Sequence, residues 1–124
     1  MSPGYNKALY LVIADSIMDE ILNGSLKPDD RLLSIRDYAA RVQVNHNTVV
    51  RAYDYLSEQQ LIYNRRGMGF YVAEDAPVIV ERLRRKEVCG VQLEEIFRQL
   101  SMLDVSPDEL RDYYQRYLNL SSQP

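Results

Sequence analysis

The chain is short of the residues that build disulfides, metal sites and nucleophilic centres: it has one cysteine and one histidine in 124 residues. Cys89 has no second cysteine to pair with, so no disulfide closes within one chain. Cys89 and His46 cannot by themselves furnish the four Cys or His ligands of a structural zinc site. A Ser-His-Asp or Cys-His nucleophile would have to be built on His46, and nothing near it in the sequence resembles one. The expectation is therefore a protein that is not an enzyme and holds no metal or cofactor. Long apolar runs are missing too, and none reaches the roughly eighteen residues of a membrane span. The start, Met1-Ser2-Pro3-Gly4-Tyr5, lacks the basic and apolar regions of a secretory signal. These features point to a cytoplasmic protein with no membrane partner.

An excess of positive charge is also missing, since the net charge is −3. Taken alone, that argues against a nucleic-acid binder. The distribution matters more than the sum. Residues 1–73 balance eight Lys/Arg against eight Asp/Glu, whereas residues 74–124 set seven against ten. The acidity thus belongs to the C-terminal part, and a basic face remains available in the N-terminal part.

What is present is a series of amphipathic segments. Leu9, Ile13, Ile17 and Ile21 recur every four residues, with Ala14 and Met18 beside them, which predicts a helix from about Tyr5 to Asn23. Gly24 follows at the place of a helix-terminating glycine. Pro28-Asp29-Asp30 signals a turn. Ser34 opens a short helix, with Asp37 as a weakened capping-box partner; Ile35, Tyr38, Ala39 and Val42 give its inner face. Gln43-Val44-Asn45 makes a corner, and Asn45 or Asn47 caps the next helix. That helix carries Val49, Ala52, Tyr53 and Leu56 on one face and ends near Gln60. The period then becomes alternating. Residues 61–64 and 70–73 read as strands, with Gly67 and Gly69 in the turn between them.

Asp75-Ala76-Pro77 opens the C-terminal part. One long helix is expected from about Pro77 to Leu103, weakened near Gly90, with a break at Cys89-Gly90 as the alternative. Leu93, Ile96, Phe97, Leu100 and Leu103 form its better apolar stripe. Ser106-Pro107-Asp108-Glu109 is a helix start with cap, proline and acidic partner in sequence. The final helix carries Leu110, Tyr113, Tyr114, Tyr117 and Leu118 to about Leu120. The fold expected is mostly α with a small β-hairpin: a winged helix-turn-helix in residues 1–75, followed by a two-helix dimerisation segment in residues 76–124.

The stretch from Ile21 to Val72 resembles the DNA-binding domain of the GntR family of bacterial regulators. The matching elements are Gly24, Leu26 and Pro28, then Leu32, Ser34 and Arg36, then Val44 with Thr48-Val49, and finally Ala52, Leu56, Gly67, Gly69 and Val72. Four positions depart from the pattern. Asp29 or Asp30 stands where the family turn has glycine, Leu33 replaces a proline, Gln60 replaces a glycine before the wing, and Val50 sits where many members are basic. Regulators of this family with large ligand-binding domains are about twice as long. The short second half, and the phrase from Leu103 to Leu110, resemble the YtrA-like members, whose C-terminal helices pair two subunits.

The resemblance implies a dimeric repressor that binds an inverted-repeat, double-stranded operator, often at genes for transport systems. A recognition helix reads base edges with side chains near its N-terminus. The candidates here are Asn45, His46, Asn47 and Arg51, since Asn suits adenine and Arg suits guanine. Arg51 has a second reading, as an ion-pair partner of Asp54 or Glu58. By resemblance Arg36 and Thr48 touch phosphates, with Ser34 at a helix N-terminus either as a cap or as a further phosphate ligand. Arg65, Arg66 and Gly67 at the wing tip suit the minor groove or the backbone. The expected dimer interface is Leu83, Leu93, Ile96, Phe97, Leu100, Tyr113 and Tyr117, because tyrosine combines apolar area with a polar tip. Cys89 is expected to be a buried or interface residue and not a redox sensor. An unknown small-molecule effector stays open. The competing class is a winged-helix module that binds protein instead of DNA, which would lack a basic face.

Overall fold

The computed structural model describes residues 7–122, which fall in two compact units, Met1–Arg84 and Arg85–Pro124. In the first unit the order is α1 (Leu9–Asn23), α2 (Ile35–Val42), α3 (His46–Glu58), β1 (Ile62–Arg65), β2 (Gly69–Val72) and α4 (Ala76–Lys86), whose last two residues pass into the second. The apolar stripe of α1 is buried as Ile13, Ala14, Ile17, Met18 and Ile21. It packs on α3, which buries Val49, Ala52, Tyr53 and Leu56. Truncating a fully buried leucine such as Leu56 to alanine costs about 2–5 kcal/mol.

The first helix begins later than the apolar repeat predicts. Ala8 has extended backbone, φ −59° and ψ 145°, and offers no side-chain cap; Tyr5 and Asn6 lie outside the described residues. In α2 the expected inner position Val42 is exposed. The helix stops there because Gln43 turns left-handed, with φ 56°, and Val44 packs against the core instead.

The core is closed by aromatic packing around Tyr53. Its ring meets Phe70 edge-on at 5.1 Å and Tyr38 at 6.2 Å. Its hydroxyl donates to the carbonyl of Leu33 at 2.6 Å. That bond ties α3 to the chain just before α2. Burial, then the neighbouring Tyr38 and Glu20, pushes the Tyr53 phenol well above the ordinary tyrosine range.

The helix α3 ends in a Schellman motif. Gln60 takes φ 63° and donates to the Ser57 carbonyl at 3.0 Å, while Leu61 donates to Leu56 at 2.9 Å. Leu56 and Leu61 are both fully buried, which supplies the motif's hydrophobic contact. This cap consumes Leu61, so β1 starts one residue later than the alternation predicts. The hairpin shifts towards its tip, pairing Ile62 with Val72 and Arg65 with Gly69, and Arg66, Gly67 and Met68 make the turn.

Residues 29–32 run along the other side of β2. Asp29 donates to Val72 at 2.8 Å, Leu32 donates to Phe70 at 2.9 Å, and Val72 donates back to Asp30 at 2.9 Å. The entry turn holds its geometry through Asp29, which has φ 69°, and through the Asp30 carboxylate, which accepts from Lys27 N–H at 2.8 Å. Pro28 before a left-handed residue is the pattern of a type II turn. The family's glycine position is thus a real backbone requirement, and Asp29 meets it.

Helix α4 buries Ala76 and Val80 and packs Ile79 and Leu83 against the same core. Beyond Lys86 the chain stays helical. Glu87–Gln92 forms one widened π-type turn, with αR dihedrals at Lys86 and Leu93 on either side. The weak spot at Cys89-Gly90 is therefore a π segment and not a break. Cys89 is exposed. Helix α5 (Leu93–Met102) follows, and its left-handed end at Asp104 repeats the Schellman geometry, with Val105 donating to Leu100 at 3.0 Å. Helix α6 (Pro107–Ser121) starts as predicted: Ser106 Oγ accepts from Glu109 N–H at 3.1 Å, and Pro107 stands in the first turn.

Candidate nucleic-acid interface

The candidate site consists of two helix starts and the hairpin tip. At α2, Ser34 Oγ accepts from the Asp37 N–H at 3.0 Å, so its cap role is realised. Arg36 lies in the first turn and is exposed. At α3, Asn45 is the cap, and its Oδ1 accepts from Asn47 N–H at 2.8 Å. That settles the choice between Asn45 and Asn47. His46 and Asn47 occupy the first turn with exposed side chains, while Thr48 is half-buried behind them. Val50 is half-buried too, so it is less of a gap in a charged face than the sequence suggests. Each helix start joins free backbone donors to the positive end of a dipole, an arrangement that favours anions.

Arg51 is exposed but engaged. Its guanidinium lies 4.2 Å from the centre of the Tyr10 ring on α1, in a hollow shared with Asp54, Tyr55 and Glu58. It stacks on Tyr10, where the second reading from the sequence had it paired with Asp54 or Glu58. Tyr10 is not part of the apolar stripe that marks α1, so nothing in the sequence announced this contact.

At the wing, Gly67 takes φ 77° and Gly69 takes φ 100°. Met68 N–H closes the turn on Arg65 at 2.8 Å. Arg66 is at the exposed tip. Arg65 is held in place: its guanidinium lies 4.4 Å above the Tyr71 ring and 5.6 Å from that of Tyr63, and it donates to the Tyr63 hydroxyl at 3.1 Å. The two rings stack at 6.0 Å, 25° apart. Tyr63 in turn donates to the Asp29 carboxylate at 3.0 Å. Arg31 lies beside Gly69, where an added Cβ would approach its Nε to 3.2 Å. Sequence reasoning missed Asp29, Arg31, Tyr63 and Tyr71. The signal was available in the alternation, since Tyr63, Arg65 and Tyr71 must share one face of a hairpin in this register.

Of the expected interface residues, Leu83 packs on the winged-helix core. Leu93 and Leu100 are half-buried, and Ile96, Phe97, Tyr113 and Tyr117 are exposed. Among the described residues, no group of His, Cys, Asp and Glu is arranged to hold a metal ion. No helix among them is long and apolar enough to cross a membrane.

A capped recognition helix beside an arginine-bearing β-hairpin defines a winged helix-turn-helix DNA-binding protein. The model of the gntR family of bacterial regulatory proteins matches residues 9–72, and the chain belongs to that family. It is 35% identical over 105 residues to the HTH-type transcriptional regulator YhcF of Bacillus subtilis, covering 85% of each chain. It is 30% identical over 109 residues to the HTH-type transcriptional repressor YtrA of the same organism, covering 77% of this chain and 84% of that one. A transcriptional regulator of the GntR family from Bacteroides thetaiotaomicron superposes with a TM-score of 0.79 at 39% identity, over 93% of this chain and all of that one. The DNA-binding domain of AraR in complex with operator ORR3 superposes with a TM-score of 0.50 at 26% identity, over 52% of this chain and 77% of that one. The family and these relatives are DNA-binding transcription regulators and not enzymes.

Proposed function

We propose that this protein is a homodimeric repressor that binds an inverted-repeat operator. In this reading the first unit reads DNA and the second pairs two chains. The observation that carries the dimer is the state of the second unit. The π segment, α5 and α6 bury no residue within the chain. Phe97 is 47% exposed, Tyr117 64% and Leu103 74%. Isolated apolar side chains on a surface are ordinary, but three consecutive helical segments with nothing buried lack a core of their own. A second copy supplies it most simply, because a two-fold interface uses one patch twice. Leu93, Ile96, Phe97, Leu100, Tyr113 and Tyr117 form that patch; Leu83 belongs to the core of the first unit.

On DNA, His46 and Asn47 face base edges in the major groove, and Asn45 and Thr48 stand at the same helix start. Arg36, with Ser34, meets the backbone at the start of α2. Arg65, Arg66 and Gly67 bring the wing to the minor groove or its phosphates. Arg51 must leave Tyr10 to read a base, or remain stacked and act on the backbone. Repression follows from occupying a promoter, and the relative YtrA of Bacillus subtilis is a transcriptional repressor.

The test is fluorescence anisotropy with the protein's own upstream DNA, a scrambled control and a single half-site, at two salt concentrations. Specific binding should be lost steeply with salt, and the half-site should bind far more weakly than the full repeat. Sedimentation velocity of Phe97→Asp should show a monomer. Equal, feeble binding to all three DNAs refutes the operator reading, and a monomeric unmodified protein refutes the dimer.

A further inference from the structure

We infer that Tyr63 is a positioning residue for the wing arginine Arg65, acting through a chain of contacts that begins at Asp29. The inference rests on the proposed DNA reading and goes beyond it by assigning work to residues behind the tip. The outer face of the wing carries Tyr63 and Tyr71 on neighbouring strands, directly paired in the register. Their rings stack, and the Arg65 guanidinium lies over Tyr71 at 4.4 Å. One Nη donates to the Tyr63 oxygen at 3.1 Å. That oxygen can accept because its own proton is directed to Asp29 Oδ1, 3.0 Å away. The direction of every bond is consistent: guanidinium to phenol, phenol to carboxylate.

Asp29 is itself fixed. It sits at the left-handed position of the turn after Pro28, and its N–H is bound to the carbonyl of Val72 on β2 at 2.8 Å. The carboxylate is therefore placed by backbone and not by a flexible stem. Its charge also strengthens the phenol as an acceptor, since hydrogen bonds polarise one another along a chain. Arginine otherwise loses much rotamer freedom when it grips a phosphate. Here three contacts impose that order before DNA arrives, and preorganisation of this kind lowers the cost of binding.

The inference separates Tyr63 from a residue that merely stabilises the fold. Tyr63→Phe keeps the ring stack and removes only the hydroxyl. It should weaken operator binding about two- to tenfold, the scale of immobilising one rotamer-rich side chain. Arg65→Ala should weaken it further and lower the slope of log K against log salt by about 0.9, as the loss of one phosphate contact requires. In the double variant the two effects should not add: Tyr63→Phe should change nothing once Arg65 is gone. Thermal melts of all three show whether they fold alike, and the cycle is read only from variants with native melts. Should Arg65→Ala fail to fold, Arg65→Lys serves in its place, because it keeps charge but cannot reproduce the guanidinium geometry. Wild-type affinity in Tyr63→Phe overturns the inference, as do multiplicative losses in the double variant. If the unmodified protein does not distinguish its operator from scrambled DNA, the failure lies in the DNA reading beneath it.

Discussion

Replacing Gln60 by glycine should stabilise the protein, although the substitution adds no contact. Gln60 stands at φ 63° immediately after α3. A side chain in that left-handed region costs about 1–2 kcal/mol from the clash of Cβ with the carbonyl oxygen. Glycine removes the clash but loses more backbone entropy on folding, about 0.5–1 kcal/mol. The difference is a gain of about 0.5–1 kcal/mol. The Gln60 N–H bond to Ser57 and the Leu61 bond to Leu56 are backbone bonds and survive the change. For a chain of this size the gain raises the melting temperature by about 2–4 °C. The assay is circular-dichroism melting at one fixed protein concentration, because dimerisation makes melting concentration-dependent. Gln60→Ala is the control: it keeps the Cβ and should melt within about 1 °C of the parent. A glycine variant that melts no higher than the alanine variant would refute the argument that strain at this cap outweighs backbone entropy.

Gly69→Ala should destabilise by about 1–3 kcal/mol through its φ of 100°. It should exceed the loss in Gly24→Ala, where φ is also positive but no atom lies within 4 Å of the new Cβ, because Arg31 Nε stands 3.2 Å from the one at Gly69; urea denaturation of the pair compares them. Tyr53→Phe should cost about 1 kcal/mol for the bond to the Leu33 carbonyl. The same phenol makes the fold sensitive to alkali. Its folded pKa is raised above the ordinary 10.0, so stability is full below that value and falls as pH rises beyond it; melts between pH 8 and 12 should show the fall, flattened in Tyr53→Phe. Arg84 donates to the Asp15 carbonyl at 2.9 Å and pairs with the exposed Asp19 at 2.8 Å, yet its Nε is buried without a partner. Arg84→Met should therefore cost less than about 1 kcal/mol, since removing an unpaired buried donor offsets the lost bonds; a loss above 3 kcal/mol by urea titration would contradict this balance.

The winged-helix half was legible because its instructions are local. A four-residue repeat placed α1, Ser34 and Asn45 announced helix starts, and two glycines marked the wing turn. The misplaced boundaries have a common cause. The sequence ends α2 and α3 at Gln43 and near Gln60, but neither residue announces the left-handed conformation that leaves Val42 exposed and takes Leu61 out of the first wing strand. Each is a left-handed C′ residue without being glycine, and side-chain type carries little information about such a position. The chain has five glycines. It places two of them at the wing tip and ends α2, α3 and α5 on Gln43, Gln60 and Asp104.

The candidate site divides along the same line. Helix caps follow from residue type and spacing, so Ser34, Asn45 and their neighbours could be named. The Arg51–Tyr10 stack and the Asp29–Tyr63–Arg65 chain join residues far apart in sequence, 41 positions in the first case and 34 in the second between Asp29 and Tyr63. No local pattern encodes them. They arise because α1 packs on α3 and because residues 29–32 lie along β2. Both contacts hold an arginine against tyrosine where a floppy cation would otherwise stand. In a chain whose N-terminal part has no net positive charge, placing each guanidinium accurately matters more for a basic face than adding further ones.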